Sequence, residues 1–189
     1  MNIILFRAFI AGFVTLSLEI LAPRLLAPYF GVSHLTWTTL ICVFLTAISI
    51  GYSLSAFTQY KIKTITVINI IFLCLLLIHP SIFTVTSSLT SSRIFNLIIS
   101  SLFFAPSAIL LSYLFPFYVS SINMSARKAS GLISLFGTMG SVIGATLTGT
   151  VLFQYLANSQ IIWVLIILSL FLIPIKKSII SGVAIVFSI

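Results

Sequence analysis

The chain has 189 residues, 60% of them hydrophobic and 5% charged, with a formal net charge of +8. Its mean hydropathy is +1.32, whereas a soluble domain carries about a quarter charged residues, enough to cover a water-facing surface. The pattern excludes a soluble globular protein, and the lipid bilayer is the expected partner. The basic residues stand singly or in pairs between apolar runs, so nucleic acid is excluded as a partner, because a binding face needs them clustered.

Taken in chain order, the first run, MNIILFRAFIAGFVTLSLEILA, carries its charge late and lacks a small-residue cleavage site. It is therefore expected to be a retained membrane helix rather than a signal peptide. Helix one is placed at residues 3–22, ended by Pro23. A short connection holds Arg24, Pro28, Gly31 and His34. Helix two is expected from Thr36 to Tyr60, and helix three over 64–79, ending at His79-Pro80. A loop, SSLTSSR, leads to helix four at 94–119, with kinks expected at Pro106 and Pro116. Helix five follows Arg127-Lys128 and covers 129–155. Helix six is IIWVLIILSLFLI, 161–173, closed by Pro174.

The last apolar run, 178–189, is about 18 Å long as a helix, short of a hydrocarbon core of about 30 Å. Either it is re-entrant or interfacial, or the protein continues beyond Ile189. The expected fold class is all-α: a polytopic membrane helix bundle of about six full spans plus that short segment, forming one domain over residues 1–189.

Orientation follows from the basic residues. With a cytoplasmic N-terminus, that side receives Arg7, Lys61, Lys63, Arg127, Lys128, Lys176 and Lys177. The other side receives Arg93, with Arg24 at the membrane edge. Such asymmetry satisfies the positive-inside rule.

Between membrane helices, small residues and hydrogen-bonding side chains mark packed faces. Helix one shows Ala8, Gly12, Thr15 and Glu19 at helical spacing. Helix two shows Thr39, Cys42, Thr46, Ser49 and Ser53. Helix five shows Ser130, Ser134, Gly137, Ser141, Ala145 and Thr148, with Gly140 and Gly144 beside them. Helix six has no such stripe and is expected to face lipid. These stripes read either as packing faces or as a polar seam shared by helices one, two and five. The packing set is Gly12, Gly51, Gly137, Gly140, Gly144 and Gly149. Thr15, Thr46, Ser49 and Ser141 join Glu19 and Arg24 as candidate substrate contacts.

Glu19 is the single acidic residue. An ionisable group inside a span costs roughly 2.5–3.5 kcal/mol on insertion scales, so it needs a reason to be there. One reading is a clamp, with the chain folding back at Pro23 so that Arg24 reaches the carboxylate. Another is a carboxylate open to an interior cavity, able to hold a cation or relay a proton. A third pairs Glu19 with Arg7 or Arg93. One acid excludes paired-carboxylate chemistry, and without Asp there is no Ser/His/Asp triad. Cys42 and Cys74 lie inside apolar runs and read as small buried hydrophobes. His34 and His79 lack companions at ligand spacing, so no metal and no cofactor are expected.

Two blocks carry a resemblance. GFVTLSLEILAPRLLAPYFGVSHLTWTTLICVFLTAISIGYSLS, with Glu19, Arg24, Phe30-Gly31-x-Ser33, Trp37 and Gly51-Tyr52, resembles the first two helices of membrane-bound spermidine synthase-like proteins. FPFYVSSINMSARKASGLISLFGTMGSVIGATLTGTVLFQYL, with Pro116 and Gly140, Gly144 and Gly149, is similar to that family's later helices. The soluble aminopropyltransferase-like domain of the family has no counterpart here, so the resemblance implies kinship with the membrane half and no enzymatic activity. It also implies a bacterial-type inner membrane. Two functions are expected from different classes. One is a membrane module that binds or moves a small cation such as a polyamine, alone or beside a separate soluble synthase-like protein. The other is an accessory or scaffold subunit among other membrane proteins.

Overall fold

The computed structural model describes residues 2–89 and 92–173, and among these every regular element is helical. The expected segment 178–189, together with Pro174, Lys176 and Lys177, lies outside the described residues. The helices are α1 (Asn2–Phe30), α2 (His34–Phe57), α3 (Ile62–Leu75), α4 (His79–Ser87), α5 (Arg93–Leu102), α6 (Ala105–Ser120), α7 (Ala126–Leu147), α8 (Phe153–Tyr155) and α9 (Asn158–Leu170). Four continuous or nearly continuous stretches are long and apolar enough to cross a membrane: Asn2–Phe30, His34–Phe57, Ile62–Ser87 and Ala126–Tyr155. The pair α5 and α6, bent by 42°, makes a fifth if it is one crossing. The chain is compatible with an integral membrane protein on these helices. At 13 residues, α9 is the shorter apolar helix where the sixth span was expected.

The first departure from expectation lies at Pro23. The helix does not stop there, and α1 runs through both Pro23 and Pro28 to Phe30. Leu21, Ala22, Leu25 and Leu26 around Pro23 are at most 1% exposed. Packing on both sides holds the helix, and a membrane interior offers no water to take up backbone groups freed by a break. The cost is one hydrogen bond per proline, because the missing N–H leaves the carbonyl four residues earlier without its helical donor.

Pro80 behaves differently from expectation for a related reason. It occupies the first turn of α4, where a helix needs no N–H donor. The third span therefore passes through a 3₁₀ turn at Leu76–Ile78 and continues to Ser87. Pro106 acts as expected: its ring disallows a straight run from α5, and the 42° bend falls just before it. Pro116 lies inside α6, which continues to Ser120.

Helix α1 is the hub, with buried residues on all sides, including Ala8, Val14, Leu18, Leu21 and Leu26 at 0% exposure. Its main partner is α7, and the two run parallel, since Phe9 meets Gly140 and Phe13 meets Gly144. The contact is backbone to backbone. A Cβ at Gly140 would stand 1.9 Å from the Phe9 carbonyl oxygen, and one at Gly12 would stand 2.1 Å from that of Gly137. Gly51 does the same for α2 against α6, 2.4 Å from the Ile109 carbonyl oxygen. Gly149 has open space where a Cβ would sit. It lies in a π-helical turn, Thr148–Leu152, between α7 and α8.

Two faces are the reverse of those expected. Helix α2 buries Leu40, Phe44, Ala47 and Gly51, while Cys42, Thr46, Ser49 and Ser53 are exposed. Its hydroxyls do not need a neighbour: Ser49 and Ser53 donate to the carbonyls of Leu45 and Ser49, both at 2.9 Å. The buried face pairs large apolar side chains, Leu40 and Phe44, with Ala47 and Gly51, and Gly51 permits the close approach to α6. Helix α9, expected to face lipid, buries Ile161, Ile162, Leu165, Ile166 and Ser169 against α1 and α3. Asn69 of α3 donates to Ser169 across that contact at 3.4 Å.

Candidate functional site: a cavity around Glu19

Between α1, α6, α7 and the edge of α2 lies a cavity of about 790 Å³. Glu19, Thr15 and Gly12 of α1 line it, with Ile48 and Tyr52 of α2, Ser112, Phe115 and Pro116 of α6, and Ser134 and Ser141 of α7. Glycines make room for it. Gly12 and Gly137 bring α1 and α7 into contact on one side, and the Phe115 ring fills the space beside Gly137. On its other side Phe115 meets Tyr52 edge-on, with ring centroids 6.4 Å apart. The floor of the cavity is thus a line of contact from α2 over α6 to α7.

The register of α1 and α7 sets its direction. Ser141 donates to the Gly12 carbonyl at 3.1 Å, which fixes those residues at one level. Glu19 lies seven residues beyond Gly12, about 10 Å further along the helix axis. The lining of α7 runs the other way, from Ser141 back to Ser130, and Ile122 and Met124 of the α6–α7 connection complete it. Glu19 therefore stands at the end far from that connection, well inside the first span.

Glu19 forms no ion pair and no hydrogen bond among the described residues. The expected clamp with Arg24 is absent. Because α1 continues through Pro23, residues 19 and 24 project about 140° apart around the helix. Arg24 turns instead to the π-helical region. Its Nη1 donates to the Phe153 carbonyl at 3.2 Å, and the guanidinium carbon lies 4.5 Å above the Phe153 ring. A π turn leaves a carbonyl without its usual donor, so a planar cation is a suitable neighbour. The other two candidate partners are engaged in the same manner. Arg7 donates to the Ile173 carbonyl at 3.1 Å, and Arg93 donates to the Phe30 carbonyl. Arg7, Arg24 and Arg93 each satisfy a main-chain oxygen, and none neutralises Glu19.

The six candidate contact residues therefore separate into four places. Thr15, Glu19 and Ser141 share the cavity. Arg24 lies at Phe153. Thr46 faces a smaller groove of about 400 Å³ beside Ile98 and Ile109, and Ser49 is exposed on the outer side of α2. The seam is lined chiefly by α1, α6 and α7, with α6 taking the place expected for the polar stripe of α2.

Among the lining residues not anticipated as contacts are Tyr52, Ser112 and Phe115. The signal for Ser112 was present, since it lies four residues before Pro116, the position whose carbonyl that proline leaves without a donor. Glu19 stands in the same relation to Pro23. Nothing in the sequence marked Phe115, whose place depends on the absence of a side chain at Gly137.

No family model, no curated protein and no solved structure matches this chain.

Proposed function

We propose that this protein is a membrane module whose α1–α6–α7 cavity binds a small organic cation at Glu19 and lets it pass along the bundle. One observation supports this above the others: the single carboxylate lines a cavity of about 790 Å³ while every nearby arginine is bonded elsewhere. A half-buried carboxylate without a partner inside a span is costly, so a visiting cation supplies what the protein withholds. Tyr52 and Phe115 add aromatic faces, which attract cations as well as carbon chains. The resemblance of residues 12–55 to the membrane half of spermidine synthase-like proteins makes a polyamine the first ligand to try.

The reading includes six crossings with α9 as the last, an N-terminus on the cytoplasmic side and a bacterial-type inner membrane. It assigns no enzymatic step. Arg127 and Lys128 beside the α6–α7 connection, together with Lys61 and Lys63, fit the positive-inside orientation. One observation favours the second reading, an accessory subunit among other membrane proteins: the outward row Cys42, Thr46, Ser49 and Ser53 offers small and hydroxyl-bearing residues to another helix.

The test is reconstitution of the purified chain, with spermidine binding and uptake measured for wild type, Glu19→Gln and Arg24→Ala. The expected result is loss in Glu19→Gln and retention in Arg24→Ala, because only the first residue faces the cavity. Absence of binding in the wild type, with other membrane proteins co-purifying, supports the accessory reading.

A further inference from the structure

The cavity also has a polarity of its own, and this deepens the cation reading on which it rests. Each hydroxyl carries a single hydrogen. Thr15 spends its hydrogen on the Ala11 carbonyl at 2.7 Å. Ser112 donates to the Ala108 carbonyl at 2.7 Å, Ser120 to that of Phe117 at 2.8 Å, and Ser141 to that of Gly12 at 3.1 Å. These four hydroxyls therefore face the cavity with lone pairs only. The Glu19 carboxylate, when ionised, is likewise an acceptor only. Tyr52, Ser130, Ser134 and Thr138 keep a hydrogen, and each of these can also accept.

We infer that the cavity selects its ligand by N–H donation: it takes a primary or secondary alkylammonium and rejects a fully N-methylated one of the same shape. Thr15 sets an acceptor one turn before the Glu19 carboxylate, and Ser112, Ser120 and Ser141 set others along the cavity wall, so N–H donors find partners there and a trimethylammonium group offers none. An anion is excluded by the same acceptors. An alkali cation shares the acceptor chemistry, but much of the wall is carbon, from Leu16, Ile48, Phe115 and Val119. A carbon chain fits that wall and a hydration shell does not.

The experiment is titration of the purified full chain in detergent with 1,6-diaminohexane and with hexamethonium, its fully N-methylated counterpart, repeated in sodium-free and sodium-containing buffer. The expected result is diamine binding that is lost in Glu19→Gln, with hexamethonium weaker by at least about tenfold. Thr15→Val, which keeps the shape and removes one acceptor, is expected to weaken the diamine several-fold and to leave hexamethonium unchanged. Equal affinity for both compounds, abolished by Glu19→Gln, overturns selection by N–H donation and leaves the cation reading standing. Displacement of the diamine by equimolar sodium overturns the inference in favour of an alkali-ion site. Binding of neither compound overturns it together with the cation reading.

Discussion

Arg24 lies with its guanidinium carbon 4.5 Å above the ring of Phe153 and donates to that residue's own carbonyl at 3.2 Å. The one acidic side chain of the protein, five residues earlier on the same helix, receives nothing from it. This arrangement follows from the continuity of α1 through Pro23, which fixes the two side chains on different faces. It turns Glu19 from half of a structural clamp into an open acceptor.

The absence of the clamp is directly measurable. In a double-mutant cycle on unfolding in detergent, Arg24→Ala is expected to cost about 1 kcal/mol through the lost ring contact and carbonyl bond. The coupling between Arg24→Ala and Glu19→Gln is expected to be within about 0.5 kcal/mol of zero, as for residues with no shared partner. Arg24→Ala and Phe153→Leu, in contrast, are expected to couple. A large Glu19–Arg24 coupling would restore the clamp.

The glycines make a graded set. A Cβ at Gly140 would stand 1.9 Å from the Phe9 carbonyl oxygen, and backbone cannot step aside as a side chain can. Gly140→Ala is expected to destabilise by about 1–3 kcal/mol, the usual range for overpacking. Gly131, in the interior of α7, has nothing within 4 Å of such a Cβ. Gly131→Ala is therefore expected to stabilise, by up to about 1 kcal/mol, since alanine orders more readily in a helix. Thermal unfolding in one detergent compares the two.

Tyr113 ties the connection between α2 and α3 to α6. Its hydroxyl donates to the Thr58 carbonyl at 2.7 Å and accepts from the Tyr60 N–H at 2.9 Å. Tyr113→Phe leaves both main-chain groups unpaired in a partly buried place and is expected to cost about 1–3 kcal/mol. Faster hydrogen exchange at Tyr60 than in wild type is the local readout.

Much of this architecture was legible in the residues. Long apolar runs in a chain with one acid require membrane helices, and Pro106 and the glycines of α7 marked a bend and a close contact. What could not be read was how each proline would act, because that depends on surroundings. Pro23 sits in a helix packed on every side and is carried through; Pro80 falls in a first turn and starts a helix. The face of α2 was also hidden. Its Thr, Ser and Cys residues satisfy membrane-packing rules, yet the Ser49 and Ser53 hydroxyls bond back to their own helix, while Gly51 permits the closer approach to α6. At the site, Glu19, Thr15 and Ser141 were visible from spacing, since α1 and α7 meet along their small residues. Phe115 and Tyr52 were not, because their positions depend on three helices at once.

The most direct measurement is the accessibility of position 19. In a Cys42→Ala, Cys74→Ala background, Glu19→Cys is treated in vesicles with a water-soluble cationic thiol reagent, and Leu18→Cys, at 0% exposure in the native chain, serves as the buried control. The expected result is modification at position 19 and none at position 18. Resistance at position 19 to that reagent, combined with reaction toward a lipid-soluble maleimide, would place the side chain against acyl chains and contradict a cation-binding cavity.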